Sequence, residues 1–537
     1  MSTDLDPPPA SAGADPTLLP RPTAAVAGLL AVAAALGLGD LVAGLVAAPS
    51  SPYLAVGDQF IRLTPEALKE FATSTFGVHD KQVLLAGMAV VIAVVAVVAG
   101  LLSRRTPVPG LVVVAVLGIA GVAGAAASPT FGPAYLVAPL AALAAGIGSF
   151  ALLHRLARAA APGSSHADDE DGPEEPEPSG TVGPSRRLFL GAGAVLLGAG
   201  VTGLLGRVLA AAGGAEASRS AVGALPAPAG APKAPPADAD FAASGTPTWL
   251  TSTSDFYRID TALQVPQVST ADYTLRIHGM VDREITLDYA QLRSRALLEA
   301  PITMTCVSND IGGTLISNAV FLGVPLRDLL AEAGVRPGAD QIASTSVDGF
   351  TTGTPVAACT DGRNAMLALG MNGQPLPVEH GFPVRMVVPG LYGFVSGCKW
   401  ITGMELTTYG AFQPYWQQRG WAARAPVKTQ SRIDVPRGDA VVAAGQVVVA
   451  GTAWAQHRGV ARVEVRADGG SWQQAELAAD VSIDTWRMWR TVLTLAPGRH
   501  TLQVRASDAT GATQPEAFSL TIPDGATGWH TVTVTAR

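Results

Sequence analysis

The sequence predicts a multi-domain protein: an N-terminal transmembrane region of about five helices, an α+β domain and a C-terminal immunoglobulin-like β-sandwich. Several apolar runs lie within the first 212 residues. From about residue 246, short β-rich runs alternate with turn signals and short helices, which indicates a mixed α+β domain. From about residue 412, alternating strands recur at the spacing that is typical of a sandwich.

The N-terminal region is predicted to anchor the chain in a membrane. The mean hydropathy of +0.30 is high for a chain of 537 residues, and a bilayer-spanning helix needs about 20 apolar residues. The apolar runs lie near residues 24–48, 82–102, 108–127, 133–153 and 188–206. The first run contains Asp40. A structural role is favoured there over a functional one, because the other runs offer it no charged partner.

Basic residues predict the orientation of these runs, because cytoplasmic loops are enriched in Lys and Arg. If the N-terminus is cytoplasmic, three basic clusters fall on the cytoplasmic side. They are Arg104 with Arg105, His154 with Arg155 and Arg158, and Arg186 with Arg187. We therefore expect a multi-pass protein of the cell membrane whose C-terminal half lies on the extracytoplasmic side.

Two segments of biased composition separate the predicted parts. Residues 163–184 are acidic and Pro-rich, so we expect a disordered cytoplasmic linker. Residues 213–245 are rich in Ala and Pro, which favours an extended, semi-rigid linker. The predicted division is residues 1–212 for the anchor, 213–245 for the second linker, 246–411 for the α+β domain and 412–537 for the sandwich.

The segment Ser185–Leu190 contains paired arginines directly before the last apolar run. It resembles a twin-arginine export signal, which carries proteins across the membrane in the folded state. The alternative is a basic flank that only orients the last span. A cofactor loaded in the cytoplasm would favour the export signal.

Charge and cysteine content exclude several classes of protein. The formal net charge of -7 argues against a nucleic-acid partner. The cysteines Cys306, Cys359 and Cys398 form no C-x-x-C pair, so zinc ribbons, iron–sulfur clusters and c-type haem attachment lack support. By the predicted topology His79 and His154 lie near opposite membrane faces, so the membrane region is interpreted as an anchor and not as a haem protein.

Cys306 lies where a β-branched stretch, Ile302–Thr305, enters a polar, Gly-rich turn. A thiolate at a strand end can reach a soft metal without steric conflict. Taken alone, a buried structural thiol would be the better interpretation of an isolated cysteine, and it remains so for Cys359.

A second group of residues, between 371 and 400, favours the metal-site interpretation. His380, Arg385 and Lys399 lie on Gly- and Pro-rich loops, which expose backbone amides beside the positive side chains. Such loops suit an anionic ligand.

The series MNGQPLP, HGFPVR, VVPG and KW in this stretch resembles the sulfite-oxidase family of molybdopterin oxidoreductases, and the resemblance runs from about residue 250 to the C-terminus. It implies that Cys306 ligates molybdenum beside the dithiolene of one molybdopterin. It also implies that the pterin is held by Tyr257, Arg258, His380, Arg385, Gly397, Cys398 and Lys399, with Ser346 as a further contact. Cys398 is expected to contribute its backbone and not its sulfur. In this family the C-terminal domain is a dimerisation domain, so a homodimer is possible.

The sequence departs from the animal sulfite oxidases in the expected substrate pocket. Phe350 occupies the position of their tyrosine and is, with Cys306, a candidate catalytic residue. Asp310 and Ile311 replace a basic pair, and the loop 394–396 carries no positive charge. A doubly charged oxyanion needs positive partners, so we expect a neutral S- or N-oxide, as in the related bacterial methionine-sulfoxide reductases, more than sulfite.

The sequence therefore predicts a membrane-anchored enzyme that transfers oxygen atoms at a Mo-molybdopterin centre and exchanges electrons with an external cytochrome or quinone-linked partner. The alternative is a catalytically inactive binding or adhesion protein that keeps the enzyme scaffold. The presence of Cys306 together with the complete series of motifs favours the enzyme.

Overall fold

The computed structural model describes residues 18–65, 68, 71–72, 75–76, 79–128, 132–159, 193–195, 197–205, 208, 214–230 and 235–537. The chain divides into two compact units, Met1–Gly213 and Gly214–Arg537. Each unit is described by itself. The acidic linker at 163–184 and the paired arginines at 186 and 187 lie outside the described residues.

The first unit is helical. Its longer helices include α1 (Arg21–Val46), α2 (Pro52–Leu63), α3 (Asp80–Leu102), α4 (Val108–Ala126) and α5 (Val137–Ala159). A 3₁₀ turn, Pro133–Leu136, runs directly into α5. Four helices in the described residues, α1, α3, α4 and α5 with its preceding turn, are long and apolar enough to cross a membrane.

The five-helix count remains a prediction. The described residues of the predicted run at 188–206 belong to a shorter apolar helix, Gly193–Leu205. The first residues of that run lie outside the described part of the chain.

Small residues allow close packing of α1 against α3. A Cβ added at Gly28 would collide with the carbonyl oxygen of Ala96, and one at Gly100 with that of Ala24. Helices inside membranes commonly associate through such small residues. Asp40, on α1, accepts a hydrogen bond of 2.6 Å from the hydroxyl of Ser51. Its polar partner is thus a hydroxyl group, which agrees with a structural role.

The segment predicted as an extended linker is partly helical. Within residues 213–245, Ala215–Val222 forms helix α6, whose Ala215 and Val222 are buried in the core of the second unit. Arg219 donates to the carbonyl oxygens of Pro375 and Leu376 at 3.2 and 2.9 Å. The expectation of extended chain is wrong for this helix, because composition alone could not reveal these contacts with a distant part of the chain.

Two sheets form the α+β part of the second unit. Their strands are β1 (Thr274–Gly279), β2 (Ile285–Asp288), β3 (Leu298–Thr305), β4 (Ile316–Pro325), β5 (Gln341–Ser346), β6 (Thr351–Pro355), β7 (Met366–Met371), β8 (Gln374–Pro375), β9 (Arg385–Val387) and β10 (Ile401–Thr407). One sheet has the strand order β2-β1-β10-β5-β6, and the other has the order β3-β4-β7-β8 with β9 also paired to β7.

Four short helices connect these strands: α7 (Tyr289–Arg293), α8 (Leu326–Ala333), α9 (Val356–Thr360) and α10 (Gly393–Ser396). Local sequence explains where two of them begin or end. Asp288 and Gln291 form a capping box at the start of α7. Gly334, with φ of 68°, ends α8 in the left-handed conformation that glycine adopts without strain. The mixed α+β prediction is confirmed.

Two further sheets share one apolar core at the C-terminal end. Their strands are β11 (Gln430–Val435), β12 (Val441–Val442), β13 (Gly445–Trp454), β14 (Val460–Ala467), β15 (Gln473–Gln474), β16 (Glu476–Leu477), β17 (Arg487–Leu495), β18 (Gly498–Asp508) and β19 (His530–Ala536). The strand orders are β11-β13-β17-β16 in one sheet and β12-β19-β18-β14-β15 in the other. The immunoglobulin type of this sandwich remains a prediction.

Strand β3, which leads to Cys306, is also bonded to the C-terminal domain. The amide of Thr303 donates to the carbonyl of Asp484 at 3.0 Å, and its hydroxyl accepts from the amide of Trp486 at 2.8 Å. The side chain of Gln456 donates to the hydroxyl of Thr305 at 2.8 Å. The end of β3 is therefore fixed from both domains of the second unit.

Candidate cofactor site around Cys306

Cys306 follows directly after β3 and is buried. Its amide donates to Leu315 O at 3.0 Å, and its carbonyl accepts from the amide of Asn309 at 3.1 Å, which closes a tight turn. Burial raises the pKa of the Cys306 thiol, and hydrogen bonds from the backbone and hydroxyl of Ser308 act in the opposite direction. The main chain that carries this sulfur is therefore held on both sides.

Two glycines, Gly393 and Gly397, lie beside this turn. A Cβ added at Gly393 would lie 3.8 Å from the Tyr257 hydroxyl oxygen and 3.9 Å from the carbonyl oxygen of Thr305. A Cβ added at Gly397 would lie 3.3 Å from Nη2 of Arg385. The strand end before Cys306, Tyr257 and Arg385 thus border one region along α10.

Arg385 and His380 are buried and carry polar atoms that lack partners. Arg385 Nη1 donates to His380 O at 3.1 Å. Within the described part of the chain, neither Arg385 Nε nor His380 Nδ1 has a hydrogen-bond partner. Burial lowers the pKa of Arg385 to about 10 and that of His380 to about 3, with Lys399 and Arg385 adding to the effect on His380. At neutral pH the imidazole is therefore uncharged beside a charged guanidinium.

Lys399 is held by a buried carboxylate that the sequence analysis missed. Its ammonium group contacts Asp260 Oδ2 at 3.1 Å and donates to Glu379 O at 3.0 Å. The same Asp260 oxygen accepts from Arg258 Nε at 3.0 Å. The signal available in the sequence was an acidic residue two positions after Arg258, and such a spacing carries no specific meaning by itself.

Phe256 packs against two of the predicted residues. Its ring stacks on Tyr257 with centroids 5.4 Å apart and meets His380 edge to face, also at 5.4 Å. Burial raises the pKa of Tyr257, and the nearby Cys306 adds to this effect. The phenol therefore stays protonated and can donate a hydrogen bond at neutral pH.

Gly397 and Cys398 directly precede Lys399 along the chain, and Ser346 comes near Lys399 through strand pairing. The amide of Gly397 donates to Gly393 O at 2.8 Å, and Cys398 O accepts from the amide of Met386 at 2.8 Å. Ser346 is buried at the end of β5, opposite Ile401 on β10 and two residues from Lys399 in that register. Its hydroxyl accepts from the amide of Asp348 at 3.4 Å, within its own turn.

Phe350 lies in an aromatic group that the sequence did not reveal. Its ring contacts Tyr415 with centroids 5.8 Å apart, and the guanidinium carbon of Arg419 lies 3.6 Å from the centre of the Tyr415 ring. Arg419 Nη1 also donates to Tyr415 O at 2.8 Å. A positive charge is therefore present near Phe350, but it is engaged by its own neighbours.

The residues around Cys306 fit a molybdopterin. The buried and unpartnered atoms of His380 and Arg385, together with Asn309 Nδ2, which also lacks a partner among the described residues, can bond to a polar ligand. Buried polar groups in native proteins are nearly always paired, so the grouping of these atoms around Cys306 fits a polar ligand at this position. The cations Arg258, Arg385 and Lys399 suit its phosphate.

Comparisons with known proteins agree with this fit. The oxidoreductase molybdopterin binding domain matches residues 262–416, and the Mo-co oxidoreductase dimerisation domain matches residues 422–537. Mouse mitochondrial sulfite oxidase is 30% identical over 275 residues, which cover 42% of this chain and 50% of that protein. An uncharacterized oxidoreductase of Bacillus subtilis, YuiH, is 30% identical over 152 residues, or 28% of this chain and 73% of that protein.

Among solved structures, the sulfane dehydrogenase SoxCD from Paracoccus pantotrophus is similar at 23% identity and a TM-score of 0.46, covering 51% of this chain and 76% of that chain. In the sequence comparison, this chain spans about half the length of the mouse sulfite oxidase.

The fold, the site and the matched domains define an oxidoreductase whose cofactor is Mo-molybdopterin. The chain belongs to the sulfite-oxidase family of these enzymes.

Proposed function

We propose that this protein is a membrane-anchored molybdenum oxidoreductase that removes an oxygen atom from a small, neutral S- or N-oxide or adds one to the reduced form of that substrate, with Cys306 as the protein ligand of the metal. The observation that carries the proposal is the convergence of a buried thiol with buried, unpartnered donors on Arg385 and His380. The grouping of these atoms beside one buried thiol suits a polar ligand, because each one costs free energy when it is left unpaired.

Each predicted residue has a task toward the bound cofactor. Arg385 and Lys399 bind its anionic part, and the Gly397–Lys399 turn offers the backbone amides of Cys398 and Lys399 at the same edge. His380 is neutral at pH 7, and its imidazole either accepts a hydrogen bond from the edge of the pterin ring or donates one to it. Tyr257 donates a hydrogen bond from its phenol to the cofactor, while the Phe256 ring keeps both Tyr257 and His380 in their orientation. Ser346 adds a contact near Lys399.

When bound, a molybdenum–molybdopterin centre supplies two-electron oxygen-atom transfer chemistry. The chain's own contribution is to fix Cys306 through the Leu315 and Asn309 main-chain bonds and to keep bulk water out with buried side chains such as Met304 and Val395. Water exclusion strengthens the electrostatic interactions inside the site.

The pocket chemistry favours a neutral substrate. Phe350 offers no phenol, and Asp310 and Ile311 bring no positive charge to the turn after Cys306. The guanidinium of Arg419 is already engaged by the Tyr415 ring and carbonyl. A sulfoxide or N-oxide needs only one or two hydrogen-bond donors, whereas a sulfite dianion needs several positive partners.

The membrane part of the proposal rests on the four long apolar helices of the first unit and on the basic residues around them. The catalytic unit is proposed to lie on the extracytoplasmic side after export in the folded state. It would form a homodimer through the C-terminal domain and exchange electrons with a cytochrome or a quinone-linked protein.

A substrate survey with metal analysis tests the proposal. The full-length chain, purified in detergent, is expected to contain about one molybdenum and one molybdopterin per chain and to turn over a sulfoxide or an N-oxide with a reduced dye as electron donor. A folded chain without molybdenum would instead support the alternative of an inactive binding protein. Efficient turnover of sulfite alone would overturn the choice of substrate but not that of cofactor.

A further inference from the structure

We infer that Asp260 is a positioning residue that holds Lys399 and Arg258 in the arrangement in which they receive an anionic group of the cofactor. The inference rests on the proposed cofactor-binding role of these two cations. Asp260 itself is assigned no contact with the cofactor. It acts through the residues that it holds.

One carboxylate oxygen connects the two cations. Oδ2 of Asp260 lies 3.1 Å from Lys399 Nζ and 3.0 Å from Arg258 Nε, and the carboxylate side chain is only 5% exposed. These three residues come from two separate parts of the chain, since Asp260 and Lys399 are 139 positions apart. An almost buried carboxylate that is shared in this way fixes both cations relative to each other.

The contacts of Lys399 leave one ammonium hydrogen over. Its described hydrogen bonds go to Asp260 and to the carbonyl oxygen of Glu379, and the Trp400 ring lies 5.3 Å from Nζ. An ammonium group has three donors, so the third is available to a ligand. Arg258 likewise uses its Nε for Asp260, and its side chain is 40% exposed. Both cations are thus oriented and still able to bind an anion.

The charges around Lys399 explain why a carboxylate is needed. Lys399 interacts electrostatically with Arg385, Arg258, His380 and Cys306, and Asp260 supplies a negative charge in direct contact. Burial lowers the pKa of Lys399 to about 8, and Asp260 opposes that shift. Without Asp260 the pKa of Lys399 would fall further, so its ammonium group would lose its proton at a lower pH than in wild type. The proposed binding site for the anionic group would then lose one positive charge as well as the fixed positions of its side chains.

Asp260 also keeps the positive side chains in place before the cofactor binds. Without its negative charge, Arg258, Arg385 and Lys399 would repel one another, and the long side chains would turn toward solvent. With Asp260 in place, the side chains are ordered in advance, and less conformational entropy is lost when the cofactor binds. Residues that orient ligands in this way typically change affinity by about 10- to 100-fold when they are replaced.

The experiment measures how much molybdopterin the full-length holoenzyme retains. Wild type, Asp260→Asn, Asp260→Glu and Lys399→Met are dialysed at a series of pH values, and the retained pterin per chain is read from the fluorescence of its oxidised form. Glu284→Gln is the control, because it removes an exposed carboxylate paired with Arg276 on the same domain.

Asp260→Asn is expected to weaken retention by roughly tenfold and to shift its loss to lower pH than in wild type. The sign follows from Lys399, which binds the anion only while protonated. Asp260→Glu should restore part of the retention, and Glu284→Gln should match wild type. An Asp260→Asn profile identical to that of wild type would overturn the inference.

Adding Asp260→Asn to the double variant Arg258→Met/Lys399→Met separates a positioning role from a merely structural one. If Asp260 acts through these two cations, the triple variant retains as much pterin as the double variant. A further loss in the triple variant would overturn the inference. If Lys399→Met itself keeps all its pterin, the proposed cofactor-binding role of Lys399 fails instead.

Discussion

Arg432 of the C-terminal domain donates a hydrogen bond of 2.7 Å from Nη1 to the carbonyl oxygen of Gly313, in the loop that follows Cys306. The guanidinium is also paired with Asp434 at 2.6 Å, and its side chain is only 8% exposed. The ring of His530 blocks any Cβ at Gly312 in the same loop. The loop after the proposed metal ligand is therefore held by a different domain.

Arg432→Met should reduce the molybdenum content more than the pterin content. The loop after Cys306 loses its hydrogen bond from Arg432 to the Gly313 carbonyl, while the pterin-binding residues are unchanged. Removing one partner of a nearly buried ion pair costs about 3 kcal/mol, so the unfolding temperature should fall as well. The measurement is the molybdenum-to-pterin ratio of the purified chain. Arg437→Met, at an exposed position nearby, serves as the control. An unchanged molybdenum-to-pterin ratio would contradict a role for Arg432 in holding this loop.

Arg385→Met should abolish cofactor retention and yet leave the cofactor-free chain at least as stable as wild type. The guanidinium is buried with an unpartnered Nε, which costs roughly 1–3 kcal/mol in the absence of a ligand, and methionine fills similar space without that cost. Pterin fluorescence and thermal unfolding of the cofactor-free chain measure the two effects. A large loss of stability in the cofactor-free variant would indicate a structural role for Arg385.

Sulfite should saturate the enzyme weakly, and its turnover should fall as salt is raised, because the remaining attraction is electrostatic and screened by ions. Arg419→Gln should weaken sulfite turnover further while leaving a neutral sulfoxide nearly unaffected. Steady-state kinetics with both substrates at low and high ionic strength provide the measurement. Tight, salt-independent saturation by sulfite would contradict the proposed pocket.

Acid should weaken the C-terminal domain through Asp508. Burial opposes ionisation of this carboxyl, but hydrogen bonds from Thr510, Arg458 and Thr429 outweigh it and lower its pKa to about 2. The pKa of an aspartate in an unfolded chain is about 3.9. The stabilisation of the folded domain by ionised Asp508 is therefore complete above that pH and is lost as the pH falls toward 2. Calorimetry should show the stability gap between wild type and Asp508→Asn closing over this interval. The exposed Asp439→Asn is the control, and a gap independent of pH would contradict the assignment.

The sequence predicted the apolar helices, the α+β domain and the main strands of the C-terminal domain, because these depend on local hydrophobic patterns. It also singled out Cys306, His380, Arg385 and Lys399, whose loops carry a specific series of motifs. The structure brings the neighbourhoods of these residues together through β3, β9 and α10.

The sequence could not reveal the residues that hold the site in place. Asp260 meets Lys399 across 139 positions, and Arg432 meets Gly313 across 119. Such pairs depend on the tertiary arrangement and leave no periodic pattern in the chain. Helix α6 was missed for the same reason, since an Ala-rich segment becomes an ordered helix only through its packing on the second unit.

X-ray absorption at the molybdenum edge of the full-length enzyme tests the central proposal most directly. In wild type the metal should have one sulfur ligand more than the pterin dithiolene supplies. In Cys306→Ser that extra sulfur should be absent and turnover lost, while the fold and most of the bound pterin remain. Cys359→Ser should keep the wild-type spectrum. An unchanged sulfur count and full activity in Cys306→Ser would contradict ligation by Cys306.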